Sequence, residues 1–307
     1  VAVAHLQPKE YVLQVETASA DAAAYSEAEA REYTRWLATH HYENFHVVSA
    51  LLPKKLHQDF YNVYSFCRWA DDLGDEIGDP RESLRLLSWW RSELNGMYRG
   101  QTGHPVFTAL RETVERHAIP IEPFDRLISA FVQDQTVTRY QTWNDVFAYG
   151  SNSANPVGHL VLYLCGYRDA ERQRLSDFTC TALQLANFWQ DITVDLQKDR
   201  VYLPLDLLAR YGYSADELQA LTLNDRFRSV LRDAVAVAED LFHQGMPLIA
   251  MVDRRLSLDL ALFSQGGLKI LGKIRDHEYD VLTRRPHISK VERAGILLRC
   301  LPRLLPF

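Results

Sequence analysis

Apolar positions recur at three- and four-residue spacing through most of the chain, and no segment sustains a two-residue alternation. Glu27 to His41 carries the first helical pattern, which Tyr42-Glu43-Asn44-Phe45 interrupts. A short apolar segment, Phe45 to Leu52, stops at Pro53, a residue suited to the first turn of a new helix. That helix runs through the apolar stretch Phe60 to Ala70 into an acidic one, and is predicted to end at Gly78 or just before Pro80. Further helices are predicted over Ser83–Arg99, Val106–His117 and Phe124–Tyr140, with another opening at Trp143–Tyr149. Gly150 to Gly158, containing Asn155-Pro156, should break or kink the pattern before Val161 to Cys165 resumes the apolar face. A long helix is predicted over Asp169–Asp195, a connector at Leu203-Pro204, then helices over Asn224–Gln244, Arg254–Arg285 (with Gly266-Gly267 as a weak point) and Lys290–Leu301. The expectation is an all-α, single domain over residues 26–307, preceded by a loose Ala-rich arm at 1–25, with no solenoid repeat and no interdomain linker.

Two polar stretches disturb this pattern. Asp71-Asp72-Leu73-Gly74-Asp75-Glu76-Ile77-Gly78-Asp79 holds five carboxylates in nine residues. Asp71 and Asp75 fall one helical turn apart on one face, against the negative end of the macrodipole, where a bound cation would compensate them. A charged, solvated helix end explains the same run equally well. A calcium loop does not, because Leu73 stands where such a loop needs Asp or Asn. The second stretch, Gln184 to Asp195, sets Asn187, Asp191 and Asp195 at four-residue intervals with Gln184 three positions earlier, flanked by Leu183, Leu185, Phe188 and Trp189. Buried without partners, such a stripe would cost several kcal/mol, about the price of desolvating each polar group, so it needs partners, water or exposure.

Taken together, two Asp-x-x-x-Asp helices that faced one another could hold hard divalent cations through oxygen ligands, as Mg²⁺ prefers. Mg²⁺ is usually shared with substrate phosphates, so a diphosphate is the natural substrate, with hydrocarbon held between apolar helices. None of the eleven histidines joins these stripes at ligand spacing.

Composition narrows the classes. The net charge of -6 and the lack of a basic stripe argue against nucleic acid. Four widely spaced cysteines, Cys67, Cys165, Cys180 and Cys300, form no C-x-x-C pair and suggest reduced thiols of a cytoplasmic protein without a zinc site. No apolar run spans a membrane and no signal peptide is evident, which leaves room for peripheral contact with a membrane surface.

The chain resembles the squalene/phytoene synthase family over roughly His40 to Leu301. The resemblance rests on Tyr64-Ser65-Phe66-Cys67-Arg68-Trp69-Ala70-Asp71-Asp72-Leu73-Gly74-Asp75, on Gln184 to Asp195, on Asp199-Arg200-Val201-Tyr202-Leu203-Pro204, and on Tyr149 with Pro156-Val157-Gly158. It implies a class I isoprenoid-synthase helical bundle with a central cavity and three Mg²⁺ ions gripping a diphosphate. By position it implies Asp71 and Asp75 as metal ligands on one wall and Asn187, Asp191 and Asp195 on the other. Tyr64, Arg68, Gln184 and Tyr279 would line the diphosphate or the cavity, with His41 and Asn44 also binding substrate. Tyr149, Arg68 and Asn155 would be catalytic, Tyr149 beside the carbocation and Asn155 or Tyr149 beside an attacking water.

Departures from the family pattern shape the expected reaction. His41-Tyr42-Glu43-Asn44-Phe45 stands where condensing members commonly show His-x-Lys-Ser-Phe, and Gln190 replaces a commonly basic residue. Two diphosphates need more positive charge than one in a low-dielectric cavity, so these changes favour a single-diphosphate substrate. Together with Asn155-Pro156-Val157-Gly158 they resemble the branch that acts on presqualene diphosphate in bacterial hopanoid pathways, where water traps the cation to give hydroxysqualene. No G-x-G-x-x-G fingerprint occurs and no NADPH is expected. The alternatives are a condensing enzyme making squalene, dehydrosqualene or phytoene, and a non-catalytic helical binder of divalent cations or lipid diphosphates. Trp89-Trp90 reads as core packing, and Arg284-Arg285 reads either as a solvated end or as a cap over the diphosphate. Oligomeric state is left open.

Overall fold

The computed structural model describes residues 25–40 and 53–304, together with Pro8. His41, Glu43, Asn44 and most of the N-terminal arm lie outside them. Helices α1 Glu27–His40, α2 His57–Asp75, α3 Pro80–Tyr98, α4 Pro105–His117 and α5 Glu122–Asp134 come first. They are followed by α6 Trp143–Ser153, α7 Asn155–Leu164, α8 Ala170–Gln190, α9 Ile192–Gln197, α10 Leu205–Arg210 and α11 Ala215–Gln219. The last are α12 Asp225–Gly245, α13 Arg254–Asp276 and α14 Lys290–Cys300. Among the described residues the only β-type pairing is an isolated bridge between Arg139 and Val201.

Contacts divide the chain into two compact units, residues 1–136 with 159–168, and residues 137–158 with 169–307. In the first, α2 is the axis. Its Phe60, Val63, Phe66, Trp69, Ala70 and Leu73 recur at helical spacing and are buried. Trp69 stacks on Trp90 at 5.1 Å and 10°, and Phe66 meets Phe124 edge-on at 4.9 Å, so α3 and α5 are held by rings. Trp90 is wholly buried, as a core residue should be. His104 lies edge-on to Trp69 at 4.4 Å, and burial pushes its pKa down to about 3, so it is a neutral ring. Its Nδ1 accepts from the Val106 amide and caps α4, whose first residue is Pro105.

The second unit is built on α8, which packs along α12. Trp189 Nε1 donates to the Ala234 carbonyl at 3.1 Å, satisfying the one polar atom of a fully buried ring. Helix α13 also packs there and continues through Gly266-Gly267 without interruption. Gly267 is needed for its size: a Cβ there would lie 2.9 Å from the Phe242 ring edge. On α13, Asp259 is buried, and neither carboxylate oxygen has a hydrogen-bond partner. Burial, with a smaller contribution from the Asp253 carboxylate, pushes its pKa up to about 7.

Several predicted boundaries are corrected. Helix α2 stops at Asp75, not at Gly78, because Asp79 starts the next helix by accepting from the Arg81 amide with Pro80 at its first turn. Helix α5 ends at Asp134 and not Tyr140, since residues 138–141 leave the helix to pair with 201–206: Val201 and Leu205 amides donate to Thr138 and Tyr140 carbonyls, both at 2.9 Å. The predicted Asp169–Asp195 helix is broken at Asp191 (φ -109°, ψ 16°). The predicted Arg254–Arg285 helix ends at Asp276, where Glu278 and Tyr279 take positive φ values of 52° and 61°. The expected interruption around 150–158 is a single residue, Ala154, between α6 and α7.

Candidate active site

On α2, Tyr61, Tyr64, Cys67, Asp71 and Asp75 form a half-buried stripe opposite the apolar one. Three of the expected residues, Tyr64, Asp71 and Asp75, therefore share one face. Arg68 is buried beside them and turns onto its own helix: Nε donates to Asp72 Oδ1 at 2.7 Å, and a terminal nitrogen reaches Asp71 Oδ2 at 2.9 Å. A second terminal nitrogen also contacts Asp72. The Asp71 side chain is 37 % exposed and that of Asp72 only 8 %, so Asp71 is the accessible carboxylate and Asp72 is the buried counter-charge. Burial, reinforced by the Asp71 carboxylate, pushes the Cys67 thiol up to about 12 and keeps it unreactive. The helix end that presents Asp75 is secured by Gln135, whose Nε2 donates to the Gly74 carbonyl at 3.1 Å, and by the Ser83 hydroxyl. Asp72 and Gln135 were missed as functional support; Asp72 was legible as an i+4 partner of Arg68, whereas nothing local marked Gln135.

The second motif lies across the break between α8 and α9. Hydrogen bonds from the Asp191 amide to the Asn187 carbonyl and from the Asp195 amide to the Asp191 carbonyl, both 2.9 Å, carry the four-residue spacing through it. Asn187 is exposed, and Asp191 and Asp195 are half-buried. Asp191 is gripped in a fork by Arg285, with Nε to Oδ1 at 2.5 Å and a terminal nitrogen to Oδ2 at 3.1 Å. The carboxylate in turn raises the Arg285 pKa. Next to it, Gln190 Nε2 donates to the Pro286 carbonyl at 2.6 Å. The loop after α13 is thus fastened on the second motif at two adjacent residues. Asp199, at φ 56°, is tied down by Arg139 at 2.5 Å.

Tyr149 is buried among rings, 5.4 Å from Tyr140 and 5.8 Å from Tyr202, and Tyr202 lies face to face on Phe188 at 3.6 Å. Asn155 is buried at the start of α7 and its Oδ1 accepts from the Thr181 hydroxyl at 2.9 Å. Gln184 Nε2 donates to Ser153 Oγ at 2.6 Å, and Ser153 donates to the Tyr149 carbonyl at 3.0 Å, so Gln184 braces the end of α6. Gly158 lets α7 approach α8: a Cβ would come within 2.6 Å of Cys180 Sγ and closer still to Ser176 Oγ. Tyr279 sits in the loop after α13 with the Arg232 guanidinium 5.4 Å over its ring. In the second unit the structure thus groups Tyr149, Asn155 and Gln184 around α6–α8 and sets Asp191 beside Arg285. His41 and Asn44 lie outside the described residues.

The helices and both acidic motifs define an all-α enzyme fold of the class that handles isoprenoids, and comparison with known proteins makes the assignment specific. Residues 38–292 match the squalene/phytoene synthase family, to which the chain belongs, and whose members act on prenyl diphosphates. It is 33% identical to a hydroxysqualene synthase of Sinorhizobium fredii over 83% of this chain and 86% of that one. It is 31% identical to a phytoene synthase of Thermus thermophilus over 84% of this chain and 87% of the other. The crystal structure of squalene synthase HpnC from Alicyclobacillus acidocaldarius superposes with a TM-score of 0.79 at 42% identity, covering 82% of this chain and 95% of that one. The expected fold class and family are both met.

Proposed function

We propose that this chain ionises presqualene diphosphate and traps the rearranged C30 carbocation with water, giving hydroxysqualene and diphosphate. The observation that carries the reading is Gln190, a neutral side chain spent on the Pro286 carbonyl, where condensing relatives commonly place a cation for a second diphosphate.

In this reading the carbon–oxygen bond to diphosphate breaks, water forms the new carbon–oxygen bond, and its proton leaves to the diphosphate. Tyr149, Tyr202 and Phe188 offer π-faces to the cation and exclude bulk water. Asn155 has its carbonyl oxygen taken by Thr181, so its amide N–H groups can orient a water but not take its proton. Arg68 would release part of its hold on Asp71 to meet the diphosphate, and Tyr64 shares that face. Gln184 and Tyr279 would act as shaping residues.

The metal requirement is part of the proposal. Asp71 and Asp75 in one unit, and Asn187, Asp191 and Asp195 in the other, are oxygen donors of the kind Mg²⁺ takes. Mg²⁺ bound by so few side chains would draw its remaining ligands from waters and substrate phosphate. When bound, Mg²⁺ would offset the charge of the departing diphosphate.

The test is product analysis of purified protein given presqualene diphosphate and Mg²⁺, with and without NADPH. Hydroxysqualene without NADPH is expected. Squalene formed only with NADPH would overturn water trapping, and presqualene diphosphate made from farnesyl diphosphate alone would favour the condensing alternative.

A further inference from the structure

Of the seven large apolar side chains that are exposed among the described residues, four, Val291, Leu297, Leu298 and Leu301, fall on α14 and the turn that follows it. Val291 is 82% exposed and Leu298 67%, so these are bare and not merely peripheral. At helical pitch, Leu297, Leu301, Ala294, Leu298 and Val291 project along one arc of about 120°. Exposed Lys290 falls within the arc at its N-terminal end and exposed Arg293 lies about 40° beyond one edge, whereas Arg299 is turned away toward the side of Glu292. None of these three cations is paired with a carboxylate among the described residues. The opposite side of the helix is the one that docks: Cys300 is buried, and Glu292 pairs with Lys273 at 2.9 Å and Lys269 at 3.4 Å on α13. Glu292 is the sole acidic residue of α14, and its pairing leaves the outer face purely apolar and basic on a chain of net charge -6.

The charge pattern selects the occupant. A second copy of the same face would set Arg against Arg with no carboxylate between them, which opposes a two-fold pairing. An apolar arc that carries a lysine and is bordered by an arginine matches an anionic bilayer, where apolar side chains enter the acyl boundary and long basic side chains reach phosphate level. We propose that α14 is a membrane-surface docking helix, seated in the interface of an anionic bilayer through Val291, Leu298 and Leu301, with Lys290 and Arg293 contacting lipid phosphates. This does not depend on which reaction the protein catalyses.

Co-sedimentation of the full chain with vesicles tests it, using pure phosphatidylcholine and an equimolar phosphatidylcholine–phosphatidylglycerol mixture. Binding to the anionic vesicles alone is expected, weakening as salt is raised. The double variant Val291→Glu/Leu298→Glu should abolish it with thermal stability unchanged, since both residues are exposed. Lys290→Gln/Arg293→Gln should weaken it roughly 30-fold, from the usual contribution of a basic residue at such a surface. Undiminished binding by the glutamate variant, or no binding of the wild-type chain to either vesicle, overturns the proposal. So does a wild-type dimer that the glutamate variant converts to monomer, which would assign the face to a second copy.

Discussion

The two acidic motifs are built in opposite ways. On α2 the counter-charge is local: Arg68 reaches Asp71 and Asp72, three and four residues further along one helix, and the pair with Asp72 is buried. In the second motif Asp191 sits at a helix break and its partner Arg285 comes from a loop 94 residues away, with the guanidinium 54% exposed. A buried intrahelical pair is expensive to disturb, whereas a half-exposed pair from a loop is cheap to exchange. The first motif is fixed. The second is one whose key carboxylate can trade an arginine for another cation.

The largest effect expected is on turnover. Asp75→Asn and Asp191→Asn should each lower kcat about 100-fold or more, as loss of a group stabilising developing charge does. Activity kept by either would strip that motif of its role and leave the non-catalytic binder as the better account. Next comes stability. Arg68→Met takes the guanidinium from the buried Asp72 carboxylate, and should cost about 3–5 kcal/mol in urea melts; a loss under 1 kcal/mol would show that the first motif is not fixed.

The third test concerns the buried titratable groups, which bias the two units oppositely. His104 has its folded pKa depressed to about 3 from 6.5, so the unfolded chain takes up a proton first and stability falls as pH drops through that window. Asp259 has its folded pKa raised from 3.8 to about 7. Its stabilisation is present below the unfolded value and is lost as pH rises through the folded one. Asp259→Asn should therefore gain on the wild type by an amount that grows between those two pH values, reaching on the order of a few kcal/mol, then stays level. A pH-independent difference would show that Asp259 is ionised or solvated in the fold. The smallest effect belongs to the exposed pair: Arg285→Met should change stability by no more than about 1 kcal/mol, and a loss matching that of Arg68→Met would erase the contrast between the motifs.

What was legible in the sequence follows the same division. Helix α2 was readable because apolar spacing, the carboxylate pair and the arginine four residues before Asp72 all lie within one element. The family motif around Asp191 was readable as residues, but its geometry was not. Helical periodicity continues through Asn187, Asp191 and Asp195, so it predicted an unbroken helix and concealed the break. The ends of α5 and α13 were misplaced for a related reason: residues 138–141 leave the helix for partners sixty residues on, and Tyr279 adopts a left-handed backbone that no glycine announces. Gly158 was noted as part of a motif, yet its reason, the approach of α7 to Ser176 and Cys180, exists only in three dimensions. Arg285 was noted with two readings, and its pairing with Asp191 was not among them.

The pairing of residues 138–141 with 199–206 bears also on the order in which the chain assembles. Arg139 and Asp199, joined at 2.5 Å, close a loop of sixty residues that contains α6, α7, α8 and α9. The entropy of such a closure grows only logarithmically with length, but it must be met before any contact beyond it is rewarded. The Arg68 clamp needs no closure and can form with its helix. The pairing that seats Asp199, and with it the end of the second motif, carries the closure cost of four intervening helices.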